Sequence, residues 1–117
     1  MDNLDRILKD VINDTISVGF PAPDCLERKI FIDKKTYHRV GACYRYVYPE
    51  KYEIHLSEDT LSATKYDIKN IIAHEVLHAS FFTIDHNAIW KMYCDMMHAK
   101  LGYNIQVKYS WHKILKR

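Results

Sequence analysis

An α+β fold is what this sequence predicts, on three observations. Apolar residues recur at three- and four-residue steps near both ends of the chain, the spacing of a helix with one buried face. Between them, residues 29–56 alternate between apolar and polar positions, the period of strands that present two different faces. Only three glycines and three prolines occur in 117 residues, with no repeat or linker, so one compact domain over residues 1–117 is expected.

The elements follow in order. Leu4, Ile7, Leu8, Val11, Ile12 and Ile16 mark an N-terminal helix packed through one stripe, with Asp2 or Asn3 as its cap. Gly19-Phe20-Pro21-Ala22-Pro23 breaks it. Lys29 to Asp33 is short, apolar and β-branched, a strand. From Arg39 to Tyr48, Val40, Ala42, Tyr44, Tyr46 and Tyr48 fall on one face and Arg39, Gly41, Cys43, Arg45 and Val47 on the other. Pro49-Glu50 turns the chain, and Tyr52, Ile54 and Leu56 alternate in a third strand. Together these predict a small, mostly antiparallel sheet built around a hairpin. The tyrosine row is read as the buried side of that sheet, in preference to a platform for stacking bases; His55 is read as solvated. Ser57 to Ser62 suits a cap and a brief helical turn, and Thr64-x-x-Asp67 starts a helix running to about Phe82. After Thr83-Ile84-Asp85, a last helix is expected with His86 at its head, Ile89, Met92, Tyr93, Met96 and Leu101 as its stripe, and Gly102 as its stop. The tail, Tyr103 to His112, reads as a short strand before a basic end.

Composition narrows the class. Hydrophobic residues at 48% and charged residues at 27% suit a globular domain. A formal charge of +2 does not by itself argue for nucleic acid. Cys25, Cys43 and Cys94 form no C-x-x-C pair, which excludes a zinc ribbon and a disulfide framework and favours a reducing interior. The first residues lack the apolar core of a secretory signal, and no apolar run approaches the roughly 20 residues of a membrane span. A cytoplasmic protein with no membrane partner is expected.

The chemistry concentrates in Ile71-Ile72-Ala73-His74-Glu75-Val76-Leu77-His78-Ala79-Ser80, which contains H-E-x-x-H. Residues four apart share a helix face, so His74 and His78 can direct both imidazoles at one zinc ion. Glu75, one step round, can reach a water on the metal's open side and act as its general base. The apolar neighbours Ile68, Ile71, Ile72, Val76, Leu77, Phe81 and Phe82 leave little of this helix polar. A bare His-Glu-His group there carries a desolvation penalty that a bound cation removes.

A catalytic zinc takes three protein ligands and keeps one position for water. The position three past His78 is Phe81, not Gly, so the helix is expected to continue for another turn, and a histidine just past the following short loop can fold back onto the metal. His86 is favoured over Asp85 on ligand chemistry, with Asp85 as a partner for an imidazole N–H. His98 and His112 are the weaker candidates.

These residues resemble a known family. His74-Glu75-Val76-Leu77-His78-Ala79, then His86-Asn87-Ala88-Ile89-Trp90, then Met97-His98-Ala99-Lys100-Leu101-Gly102 are similar to the SprT-like metalloprotease domain, the family of Spartan-type proteases that degrade proteins crosslinked to DNA. Tyr52-Glu53-Ile54-His55-Leu56-Ser57 is similar to the strand before its active helix, and Tyr109-Ser110-Trp111-His112 to a segment after its core. Asn87 stands where the family usually has Gly, and no C-terminal zinc ribbon is expected. The resemblance implies a zincin-like fold, Zn2+ on His74, His78 and His86, Glu75 as the catalytic base, and a protein or peptide substrate, with DNA as a further partner. A substrate strand is expected to add to an exposed strand, with Tyr52–Leu56 as the candidate.

Two other classes compete. His74 to His86 also resembles the three-histidine signature of rRNA-maturation endoribonucleases, but that pattern has a shorter gap and a Gly in place of Glu75. A non-catalytic, zinc-stabilised, DNA-associated binding module is the third reading, and it has no use for Glu75.

Overall fold

A computed structural model describes residues 4–34, 39–80 and 88–107. Helix α1 (Leu4–Ser17) precedes strands β1 (Leu26–Asp33), β2 (Gly41–Val47) and β3 (Glu50–Ser57). A 3-10 turn at Glu58–Ser62 leads into α2 (Lys65–Ser80), and α3 (Ala88–Leu101) follows. The α+β class and the order of elements as far as α3 match the expectation; the sheet does not. Its order is β1-β3-β2, with β2 antiparallel to β3 and β1 parallel to it, so the sheet is mixed rather than mostly antiparallel. The reason lies in β3. It buries Tyr52, Ile54 and Leu56 together, more of its length than β1 or β2 does, so it takes the central place, and β1 then runs beside the second strand of the hairpin. Alternation alone has the same period in either pairing.

α1 buries Ile7, Leu8, Val11, Ile12 and Thr15, while Ile16 faces outward. Thr15 tolerates burial because its hydroxyl donates to the Ile12 carbonyl at 2.7 Å. Asp5, in the first turn of α1, accepts the Ile30 N–H at 2.9 Å and so covers part of the β1 edge.

α2 runs through the core, and every residue from Asn70 to Ala79 is buried. Its start is capped as the Thr64-x-x-Asp67 pattern predicts, with the Asp67 N–H donating to Thr64 Oγ1 at 3.1 Å. The sheet presses on α2 at Gly41, where a Cβ would stand 3.1 Å from Ile71 Cγ2 and 3.2 Å from the His55 carbonyl. α3 buries Trp90, Cys94 and Met97, with Tyr93 and Met96 partly covered. The expected stripe is thus rotated, leaving Ile89, Met92 and Leu101 exposed. Trp90, the largest apolar side chain of α3, sets the buried face, and Cys94 and Met97 follow it by four and seven residues. All three cysteines are free thiols. Among the described residues no helix is long and apolar enough to cross a membrane.

The tyrosine row also departs from expectation. Tyr46 is 41% exposed and Tyr48 94%, so the row is the outer side of the sheet. Gly41 and Cys43, on the opposite face, meet the core instead. On the outer side Tyr44 meets His55 edge-on and Phe31 stacks on His55, with Lys29, Arg39 and Lys51 over the rings of Phe31, Tyr44 and Tyr46. His55 is not solvated but held between Asp33 Oδ1 at 2.8 Å and Glu53 Oε1 at 3.0 Å. This layer satisfies itself with the protein's own cations and carboxylates.

Gly102 ends α3 in the left-handed conformation (φ 77°), its N–H donating to the His98 carbonyl at 3.0 Å. Residues 102–107 form no strand; they lie along α2 and bond to its side chains. The rest of the predicted tail strand lies outside the described residues.

Candidate metal centre

The middle of α2 places three donors together. His74 and His78 lie one turn apart, and their Nε2 atoms are 3.3 Å from each other. Glu75 Oε2 is 3.9 Å from His74 Nε2. All three side chains are buried, and one ligand atom from each falls within 4.8 Å of the others.

The donor set fits a divalent ion. A tetrahedral ion with bonds of about 2.0–2.1 Å holds two imidazole nitrogens about 3.3–3.4 Å apart, the separation found here. The tautomer fits as well. His74 Nδ1 lies 2.7 Å from the Gln106 carbonyl, which can only accept, so the proton is on Nδ1 and the Nε2 lone pair faces His78. Without an ion, the His78 Nε2–H can donate to that lone pair.

Trp90 walls the pair. Its indole meets the His74 ring edge-on at 4.9 Å and stacks against the His78 ring at 5.5 Å. In the metal-free protein, burial pushes the Glu75 carboxyl up to about 8, and the charge of Arg39 pulls weakly the other way. Cys43, on the core-facing side of β2, is pushed up to about 12, first by burial and then by the Glu75 carboxylate. Cys43 in the middle of β2, and Arg39 just ahead of that strand, are thus within electrostatic reach of Glu75.

Of the residues expected from sequence, the structure brings together His74, Glu75 and His78. His86, the expected third ligand, and Asp85 lie outside the described residues, as does His112. His98 is exposed at the end of α3, its Nδ1 bonded to the Tyr103 carbonyl at 2.7 Å, and takes no part in the donor cluster. Trp90 and Gln106 have roles that the sequence reading did not assign. Trp90 stood inside the run compared with the family, yet only its contact with both rings reveals the wall. A backbone carbonyl such as that of Gln106 leaves no signal in sequence.

A family model matches residues 8–109, and the family is the SprT-like family. The chain belongs to the SprT-like family. That match covers the described core from α1 to the segment past α3, including both histidines and Glu75. SprT-like proteins are associated with metalloprotease-type domains, which accords with the donor cluster on α2. No curated protein and no solved structure matches the chain significantly.

Proposed function

We propose that this SprT-like chain is a zinc-dependent endopeptidase of zincin-like fold, with His74, His78 and His86 as ligands and Glu75 as general base. The observation that carries the reading is the pair of converging, buried Nε2 atoms with the Glu75 carboxylate beside them. A structural site has no need for a buried acid at that point. Zinc, when bound, supplies Lewis acidity toward a carbonyl and lowers the pKa of water. Glu75 then takes the proton of the attacking water and passes it to the leaving amine. Trp90 and the apolar residues of α2 exclude bulk water and orient the imidazoles. Trp90 also supports His86 as third ligand: it touches both rings and follows His86 by only four residues.

The substrate strand is assigned to the edge of β2. The Tyr52–Leu56 segment expected from sequence cannot serve, because β3 is paired on both sides. β1 is turned toward α1, with the Ile30 N–H held by Asp5. β2 faces the site through Cys43, and its outer edge is open to main-chain pairing among the described residues. Proteins bound to DNA are the proposed substrates; the intact Glu75 beside the histidines speaks against the ribonuclease pattern, which has Gly at that position.

The test is cleavage of a basic DNA-binding protein by the zinc-loaded chain, with and without single-stranded DNA, against Glu75→Gln. Proteolysis lost in the variant by at least ~100-fold is expected, within the range for removing a general base. Equal proteolysis by the variant, or cleavage of RNA in place of protein, would sink the proposal.

A further inference from the structure

The segment after α3 lies on α2 in a register that leads to the metal centre. Asn70 is buried one turn before His74. Its Oδ1 accepts the Asn104 N–H at 2.8 Å, and its Nδ2 donates to the Tyr66 carbonyl at 3.1 Å. Two residues on, the Gln106 carbonyl accepts the His74 Nδ1–H at 2.7 Å. The spacings agree: four helical residues rise about 6 Å, and two extended residues span about 6.6 Å. In an extended chain, the N–H of one residue and the C=O two residues later point to the same side, so both groups face α2. Gln106 Nε2 donates to Asn104 Oδ1 at 2.8 Å, which ties the ends of the tripeptide together. Ile105 between them packs against the core.

We infer that Asn70 is a positioning residue for the metal centre: by holding Asn104, it sets the Gln106 carbonyl against His74 Nδ1 and keeps Nε2 bare for the ion. The inference rests on the reading of His74 as a ligand. Its logic is that an imidazole ligand is oriented by the partner of its other nitrogen, and loss of such partners costs 10–100-fold in metal affinity in known sites. Asn70 acts at one remove. Without its Oδ1, the Asn104 N–H loses its acceptor on α2, and the register of the segment on the helix loosens at that end.

Two measurements on the full chain test this. In the metal-free protein, 15N imidazole spectra should show His74 as the Nδ1–H tautomer in the wild type, a mixture in Asn70→Ala, and a return to Nδ1–H in Asn70→Asp, which keeps the acceptor oxygen. Co2+ titration, followed by its visible ligand-field bands, should show about tenfold weaker binding or worse in Asn70→Ala. Thr15→Val serves as control, because the buried hydroxyl bond it removes is internal to α1, which supplies no donor to the cluster, and it should leave tautomer and affinity unchanged. A wild-type chain that binds no Co2+ overturns the metal reading and this one with it. Wild-type binding that persists within twofold in Asn70→Ala, or a loss matched by Thr15→Val, overturns only the role of Asn70. Should Asn70→Ala fail to fold, the Asn70→Asp tautomer decides: a mixed tautomer there overturns the inference.

Discussion

Glu75 sits against His74 with little water around it, so its carboxylate lacks the hydration it has in the unfolded chain. Its folded pKa of about 8 stands above the ordinary 4.5. The folded protein therefore holds this proton more tightly than the unfolded chain does. That contribution to stability is whole below about 4.5 and is lost as pH rises through about 8. In chelator, urea unfolding of the wild type should show stability falling across that window, and Glu75→Gln, neutral in both states, should flatten the fall. Parallel pH profiles for the two proteins would show that the carboxyl is not desolvated as described. His74, Glu75 and His78 were legible in sequence because their geometry is local: four residues make one turn of any helix. The Trp90 wall and the Asn70–Asn104 link were not, because each joins residues 12 or more positions apart, and helical spacing says nothing of such partners.

At the scale of elements, the sheet approaches α2 at Gly41 with no room for a side chain. A methyl group there would press on Ile71 and on the His55 carbonyl, and the second of these belongs to the central strand and cannot swing aside. Gly41→Ala should therefore destabilise the fold by about 1–3 kcal/mol, the usual cost of overpacking. The check is chemical denaturation, and a variant as stable as wild type would mean that β2 can lift from α2 at no cost. The strands themselves were readable from period-2 alternation, but their arrangement was not. Alternation divides a strand into two faces without saying which face meets the core. The choice fell to α2: its apolar surface takes the side of β2 with Gly41 and Cys43, where the backbone can approach closely, and the bulkier tyrosines are left outside. In α3, similarly, the choice of buried stripe went to Trp90 over Ile89 and Met92.

Across the whole molecule, the candidate metal centre is where the elements converge. α2 supplies the donors, β2 turns Cys43 toward the base, α3 brings Trp90, and the segment after Gly102 returns to hold His74. That returning segment is anchored at its start by Tyr103, whose hydroxyl donates to Asp14 on α1, with Lys69 of α2 over its ring. An ion bound by the folded chain alone should thus stabilise everything packed around α2. With free zinc at about 1,000 times its dissociation constant, the gain is about 4 kcal/mol. Thermal unfolding with zinc and with chelator measures it, and His74→Ala or His78→Ala should abolish the difference. A zinc-dependent gain that survives both substitutions would place the ion elsewhere.

The amino-acid sequence by itself determined the class of the fold, the approximate positions of α1 to α3 and of β1 to β3, and the His74-Glu75-His78 group, because each of these follows from spacing along a few turns of helix or a single strand. Only the tertiary structure decided the central place of β3 and with it the open edge of β2, the outward turn of the tyrosines, and the partners that wall and orient the histidines. Those depend on which surfaces fill space best when the whole chain closes on α2, a competition among distant residues that no local pattern records.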